Sequence, residues 1–371
     1  MSCYLECREK TGLHFKNKNE LKMKVRFILA ALALIAFGCT KQEQTETIQD
    51  NHTFVVTLQA SMPENTDATR ATYENDGAEI SGIIMKWEES DKLKLCFKHN
   101  DVCYYKDADI VPGSISEDGR KAKFNIEVPG EISDAATFDF YAVFQRKHPY
   151  NNDCGGFFQK GTTNFELVAE EQENVTLNQK GESGKGIINP MLLFSHKNTN
   201  KAGLAALKLD FAHTGWVMAL HLKNNSGKEM ELPSYIRIGY SDKSESSFIW
   251  NGHHSVTSKV KMDVATGAVT ADAPDWKSKA CAGFAINEGK WNPLYNGKLA
   301  AGETLVVYRW LVSTDKIEKM GAFMQRKGIE EEDYSFNSLR ARSVNKGKVY
   351  HVFVTWTGGA LTFTNRAGTV L

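Results

Sequence analysis

The side chain with the clearest chemical assignment is the thiol of Cys39, which follows a short apolar run. Residues 27–37 are all apolar, and Lys24 and Arg26 lie just before them. A basic stretch, a short apolar core and a small residue at the cut are typical of a secretory signal peptide. The run is too short to span a bilayer, which needs ~20 apolar residues. A cysteine directly after the cut is the lipid acceptor of bacterial lipoproteins, so we predict that residues 1–38 are a signal peptide and that Cys39 is lipidated.

The same leader leaves one alternative open. An ordinary secretory signal followed by an unrelated cysteine would look similar, and Phe37 is bulky where a lipoprotein signal usually has a small residue. The first residues of the chain do not fit ahead of a signal peptide, whereas Met23 begins a suitable basic stretch, so we expect translation to start at Met23. Residues 39–51 are polar and are predicted to be a lipidated tether.

Other groups that could do chemistry complete no motif. His253 and His254 lack a third ligand at a recognisable spacing, which favours a solvated loop over a metal site. Residues 181–186 lack the full spacing of a phosphate-binding loop, and residues 330–333 lack the pattern of a calcium loop. The sequence contains no nucleophile elbow, no HExxH helix and no CxxC pair. We therefore predict no catalytic residue, no metal and no cofactor, and we expect that the chain is not an enzyme.

The charge balance argues against nucleic acid as a partner. The chain has 45 Lys and Arg against 45 Asp and Glu, and no basic stripe stands out. The mature chain would keep four cysteines, which is too few for a disulfide framework. If His99 and Asn100 form a two-residue turn, Cys96 lies opposite Cys103 at the wider type of cross-strand pair, which does not favour a disulfide between them.

The elements that must carry these residues are predicted to be short β-strands. The first covers residues 52–60, and its alternation places Phe54, Val56 and Leu58 on one face. The last two runs are separated by a Gly-Gly pair, a good hairpin signal. Helical spacing is scarce, and residues 317–326 are the best helix candidate. Many short strands at intervals of roughly 8–12 residues predict an all-β fold of sandwich type.

Several segments, in chain order, resemble the fimbrillin-like lipoproteins, the subunits of type V pili in anaerobic Gram-negative bacteria. The resemblance rests on these segments: the lipobox ending at Cys39, the strand at 54–59, Thr69-Arg70-Ala71, Trp87 followed by Asp91, residues 140–143, residues 209–224 and residues 346–350. Each motif is short, and together they cover most of residues 39–371.

The resemblance implies two transthyretin-like β-sandwiches in tandem behind the lipoprotein signal peptide, one over residues 52–198 and one over residues 199–371. It also implies that an arginine-specific protease cuts between Arg70 and Ala71, which lie in a polar, proline-containing loop. Loss of the first strand, with Phe54, Val56 and Leu58, would open a groove that a strand from the next subunit fills.

The obvious donor for such a groove is the C-terminal strand with Leu361 and Phe363. This strand is short and lies close to the last residue, which suits a tip, anchor or minor subunit about as well as a polymerising stalk subunit.

We therefore expect a lipid-anchored protein of the outer membrane and cell surface that acts in pilus assembly or adhesion, with other pilin subunits as partners. The alternative is a non-polymerising surface lipoprotein that binds a glycan or a host protein. That alternative needs exposed aromatic side chains, for which the candidates are Trp216, Trp250, Trp276, Trp291, Trp310 and Trp356.

Overall fold

The computed structural model describes much of the chain after residue 52. The described residues are 53–63, 85–145, 156–167, 175–177, 191–239, 248–250, 260–271, 281–287, 296–313, 316–317, 321–326, 328, 332–335 and 342–371. Nearly all of the regular structure in these ranges is β-strand. This confirms the predicted all-β fold of sandwich type.

Within the ranges given above, nine strands precede residue 200. They are β1 (Phe54–Ser61), β2 (Lys92–His99), β3 (Val102–Asp109), β4 (Lys121–Val128), β5 (Phe138–Phe144), β6 (Phe157–Phe158), β7 (Asn164–Leu167), β8 (Val175–Leu177) and β9 (Leu192–Thr199). A short helix, α1 (Lys201–Ala205), follows them, and its N-cap is Asn200, whose side chain accepts a hydrogen bond from the Gly203 N–H. No helix within the described ranges has the length and apolar character needed to cross a membrane.

The strands after α1 complete the described structure. They are β10 (Lys208–Asp210), β11 (Ala212–His213), β12 (Trp216–Asn224), β13 (Met230–Glu231), β14 (Tyr235–Gly239), β15 (Phe248–Trp250), β16 (Val260–Asp263), β17 (Val269–Ala271), β18 (Cys281–Ala285), β19 (Lys298–Leu299), β20 (Thr304–Ser313), β21 (Lys316–Ile317), β22 (Gly321–Gln325), β23 (Glu332–Ser335), β24 (Arg342–Ser343), β25 (Val349–Trp356) and β26 (Leu361–Thr364).

In the part of the chain that the structure describes, the sheets enclose two hydrophobic cores. The first core lies between a sheet of order β10-β1-β4 and a sheet of order β11-β9-β5-β2-β3, and a sheet of order β17-β16-β7-β6 adds Phe165 and Met262 to it. The second core lies between a sheet of order β15-β20-β12-β25-β26, which β8 joins at β20, and a sheet of order β18-β14-β22-β23. Buried residues alternate with more exposed ones along β1 and β4, as expected for strands that bury one face, whereas β12 is buried on both faces.

Strand pairing crosses the predicted domain boundary between residues 198 and 199. β10 pairs with β1, β16 pairs with β7, and β8 pairs with β20. The first core also contains Val217, Tyr308 and Trp310, which come from the outer face of the six-stranded sheet. The division into 52–198 and 199–371 therefore stays a prediction, and the two cores are joined by shared strands and side chains.

Two local predictions were wrong. Residues 317–326 are not a helix, because Ile317 ends β21 and Gly321–Gln325 is β22, buried alternately against the second core. The turn between β2 and β3 is formed by Asn100 and Asp101, one residue later than expected, since both residues have positive φ angles of 47° and 63°. Asn and Asp adopt that conformation more readily than His does.

The shifted turn changes the partner of each cysteine in this hairpin. Cys96 lies opposite Tyr105, and Cys103 lies opposite Lys98. Both cysteines are free thiols. The sequence also disfavours a disulfide, but for a register in which the two cysteines face each other. Burial raises the pKa of the Cys96 thiol, and the neighbouring Cys103 raises it further.

Candidate functional site

The strand β1 lies between two partners of unequal length. All eight residues from Phe54 to Ser61 pair with β4 in antiparallel register, from Val128 to Lys121. On the other edge, Gln59, Ala60 and Ser61 pair with β10 in parallel register. We call the channel between β4 and β10 that holds β1 the β1 groove.

The inward face of β1 becomes more deeply buried toward its C-terminal end. Phe54 and Val56 are half-buried, whereas Leu58 is 1% exposed and Ala60 is 0% exposed. The alternation continues past the strand to Met62, which is 2% exposed. Side chains on the other face point to solvent, and Val55 is 57% exposed.

These exposures place the predicted residues of the first strand and add others. Phe54, Val56 and Leu58 do share the inward face, yet only Leu58 of the three is fully buried. The sequence prediction missed Ala60 and Met62, the other deeply buried positions. Following the same period-two alternation for two more steps would have found both.

The N-terminal part of β1 is an edge strand. In the described part of the chain, residues 54–58 pair on one side alone, with β4. Helix α1 contacts this edge, and the Lys201 ammonium lies 4.3 Å from the centroid of the Phe54 ring. Such a cation–π contact at a partly exposed site contributes about 0.5–1 kcal/mol.

The C-terminal end of β1 is held by main-chain and arginine contacts. The Phe211 N–H donates to the Ser61 carbonyl at 3.1 Å, and the Met62 N–H donates to the Arg120 carbonyl at 2.9 Å. The Arg120 guanidinium also donates to the Pro63 carbonyl. The chain beyond Pro63 lies outside the described residues until Met85, and the predicted cleavage residues Arg70 and Ala71 fall within that interval.

The core beneath the β1 groove contains an aromatic cluster. Trp87 packs edge-on against Phe124, Phe144 and Phe211, with ring centroids 5.0, 4.8 and 5.9 Å away. Phe124 lies on β4 directly opposite Leu58, so this cluster adjoins the deepest part of β1. Phe211 follows β10, and the cluster therefore joins both walls of the groove.

The predicted donor residues Leu361 and Phe363 lie on β26 and are buried in the second core of their own chain. β26 pairs with β25 through Trp356 and Leu361, among others. These side chains would have to leave this core before they could enter the groove of another copy. The predicted lipidation residue Cys39, and His253 and His254, lie outside the described residues.

The tryptophans give little support to a sugar-stacking surface within the described ranges. Trp216, Trp310 and Trp356 are buried, as is Trp87. Buried indole rings serve packing, since a stacking platform has to present a ring face to water. The side chains of Trp250, Trp276 and Trp291 lie outside the described part of the structure.

A second ring cluster, which includes two histidines, lies on the six-stranded sheet, on the face away from the second core. His221 Nε2 lies 2.8 Å from His351 Nδ1, and the His221 ring stacks on Phe353 at 4.3 Å. His221 is 8% exposed. Burial lowers the pKa of His221 to about 3, and the nearby His351 and Arg366 charges add to the effect.

This shift predicts acid destabilisation of the folded chain. The pKa of His221 in the folded state lies below its ordinary value of 6.5, so the unfolded chain binds a proton first as the pH falls. The contribution of His221 to the free energy of unfolding is fully present above pH 6.5 and decreases as the pH falls toward 3. Near pH 5 the loss is about 2 kcal/mol. Urea unfolding at several pH values should show that His221→Gln removes this part of the pH dependence.

The exposed His196 of β9 provides the matched control for this measurement. The substitution His196→Gln should change the free energy of unfolding by about 0.5 kcal/mol or less, because this side chain is exposed. An unchanged pH profile for His221→Gln would show that the buried ring is not the responsible group.

The chain was compared with known protein families, curated proteins and solved structures. No family model and no curated protein matches the chain. A solved candidate cell adhesion protein from Bacteroides uniformis is 12% identical, with a TM-score of 0.41, over 84% of this chain and 96% of that one. A second, from Bacteroides fragilis, is 15% identical, with a TM-score of 0.36, over 84% and 97% of the two chains.

A third solved structure is the C-terminally truncated tip fimbrial protein Mfa3 from Porphyromonas gingivalis. It is 6% identical, with a TM-score of 0.31, over 84% of this chain and 99% of that one. All three TM-scores lie below 0.5, so function has to be argued from the geometry of the chain itself. The three structures are those of two candidate cell adhesion proteins and one tip fimbrial protein.

Proposed function

We propose that this chain is a surface protein of pilus assembly or adhesion in which β1 is a replaceable occupant of the β1 groove. Cleavage near Arg70 would separate β1 from the rest of the chain, and a strand from another pilus subunit would then take its place. The observation that carries the proposal is the position of β1, an edge strand over residues 54–58 whose inward side chains complete the first core. The protein acts by strand addition and not by catalysis.

The energetics favour exchange over simple release. Leu58 and Met62 are almost fully buried, and burial of each such side chain stabilises by about 1.5–3 kcal/mol. The ladder with β4 adds main-chain hydrogen bonds along eight residues. A groove left empty would expose this apolar surface and two unpaired strand edges, which promotes association. The replacement strand must therefore offer similar apolar side chains.

The location that fits this role is the outer surface of the outer membrane, with Cys39 as the lipid-anchored residue. In that arrangement β1 stays with the anchor after the cut, since it lies between Cys39 and Arg70 in the sequence. The body of the protein is then free to join a fibre through its groove.

A specific observation favours a second candidate, a non-polymerising tip or anchor subunit. Leu361 and Phe363 are buried in the second core, so the predicted C-terminal donor strand already has a place in its own chain. Such a subunit would accept a strand without donating one, or would bind a host protein or glycan through other surfaces.

The proposal predicts that a cut chain exchanges β1 and an uncut chain does not. A site for a specific protease replaces residues 68–73 in the full chain, and the cut protein is incubated with a fluorescent peptide of residues 53–63. The cut chain should keep β1 during gel filtration and should incorporate the peptide over time, because the new strand can take over the ladder with β4.

A chain cut within residues 181–186 is the matched control, since that cut leaves β1 covalently attached. Peptide incorporation by the uncut chain or by this control would contradict the proposal, as would a complete lack of incorporation by the chain cut at residues 68–73. Oligomers of the cut chain without added peptide would identify a polymerising subunit, and a stable monomer would favour the tip or anchor candidate.

A further inference from the structure

We propose that the position of Ala60 in the β1 groove is a small-residue subsite that selects which strand can replace β1. The inference rests on the proposed exchange function and concerns the partner's sequence. The selected strand carries a large apolar residue at the Leu58 position, a small residue at the Ala60 position and a large apolar residue at the Met62 position. It runs antiparallel to β4 and parallel to β10.

The neighbours of Ala60 leave it enclosed on both sides. Its Cα partner on β4 is Ala122, and its Cα partner on β10 is Leu209. Ala60 and Leu209 are 0% exposed, and Ala122 is almost fully buried as well. Ala60 on β1 and Ala122 on β4 are therefore cross-strand neighbours, and both are buried in the first core. Protein interiors are close-packed, so a larger side chain at Ala60 has to displace its neighbours.

The flanking subsites differ from this one. Leu58 lies opposite Phe124, whose ring packs against Trp87, and Met62 lies beyond the strand with its N–H bonded to the Arg120 carbonyl. Both side chains are long and almost fully buried. The inward face of the groove therefore has a large, small, large order toward the C-terminal end of β1.

The outer end of the groove adds a preference for an aromatic residue. The Lys201 ammonium lies over the Phe54 ring, so an aromatic side chain at this position keeps a cation–π contact that an aliphatic one loses. The strand that fits best has an aromatic residue four positions before the large residue at the Leu58 position.

The C-terminal strand of a second copy does not match this order in the three registers that place both Leu361 and Phe363 at inward positions between Phe54 and Ala60. When Leu361 and Phe363 occupy the Leu58 and Ala60 positions, a phenylalanine falls in the small subsite. When they occupy the Val56 and Leu58 positions, Asn365 falls in the small subsite and Ala367 takes the place of Met62. When they occupy the Phe54 and Val56 positions, Asn365 replaces Leu58. The C-terminal strand of a second copy is therefore not the replacement that this groove selects.

Competition on the cut full chain tests the subsite. Unlabelled peptides compete with the fluorescent peptide of residues 53–63 for the chain cut at residues 68–73. The peptide with Ala60→Leu should compete ~10-fold or more weakly than the native peptide, because of overpacking. The peptide with Val55→Leu is the matched control, since this side chain points to solvent, and it should compete within about twofold. A peptide of residues 357–371 should compete no better than Ala60→Leu.

The outcomes separate this inference from the exchange function itself. Equal competition by the native and Ala60→Leu peptides overturns the small-residue subsite while the exchange function stands. If the native peptide fails to exchange, the proposed exchange function is wrong. The small-residue subsite is then tested by urea unfolding of the uncut chain. There, Ala60→Leu should lower the midpoint of urea unfolding and Val55→Leu should not. A midpoint unchanged by Ala60→Leu overturns the subsite.

Discussion

Replacing Leu58 with aspartate is expected to detach β1 from its groove in the uncut chain. Leu58 is almost fully buried opposite Phe124, so the substitution removes a core side chain and sets a carboxylate against aromatic rings. The combined cost to docking of β1 is about 4 kcal/mol or more. β1 is held by eight residue pairs with β4 and three with β10, so we expect this loss to be large enough to detach it.

Limited proteolysis and dye binding measure this effect. The Leu58→Asp chain should be cut within residues 53–63 much faster than the native chain, and it should bind a hydrophobic dye as the groove opens. Val55→Asp is the matched control, because the same charge then points to solvent from the same strand. Equal protection of both variants would show that β1 contributes little to the first core.

Replacing Trp87 with alanine is expected to lower the free energy of unfolding by about 3–5 kcal/mol. Trp87 contacts three phenylalanine rings, and these come from β4, from β5 and from the residue after β10. Removal of the indole leaves a cavity where both walls of the β1 groove meet. The loss should appear in urea unfolding and should accelerate peptide exchange by the cut chain.

Two further variants make the Trp87 measurement specific. Trp87→Phe should cost less, because a ring still fills much of the space and the indole N–H has no hydrogen-bond partner among the described residues. Phe157→Ala, at an exposed position of β6, should change the free energy of unfolding by about 0.5 kcal/mol or less. Equal losses for Trp87→Ala and Phe157→Ala would contradict the central role of the cluster.

Local patterns in the sequence were enough to recognise most of the strands near this site. The alternation at residues 54–58 and the Gly-Gly hairpin near the C-terminus both predicted elements that the structure contains. The same patterns failed at residues 317–326, where the apolar spacing was compatible with a helix or a strand. There Gly321–Gln325 forms β22, which pairs with β14 and β23. They also misplaced the turn at residues 100–101 by one residue, so that Cys96 and Cys103, which were expected to face each other, pair instead with Tyr105 and Lys98.

Residue types in short segments were enough to predict that this chain builds β-sheets and that its first strand has an apolar face, and they show an apolar run at residues 27–37 just before Cys39. These features depend on residue types at close spacing. Only the folded chain shows that β1 lies between β4 and β10, that Ala60 is fully buried beside Ala122 and Leu209, and that Leu361 and Phe363 pack in the second core of their own chain. Those contacts join residues far apart along the chain, and their partners depend on how whole sheets pack, which short-range alternation does not encode.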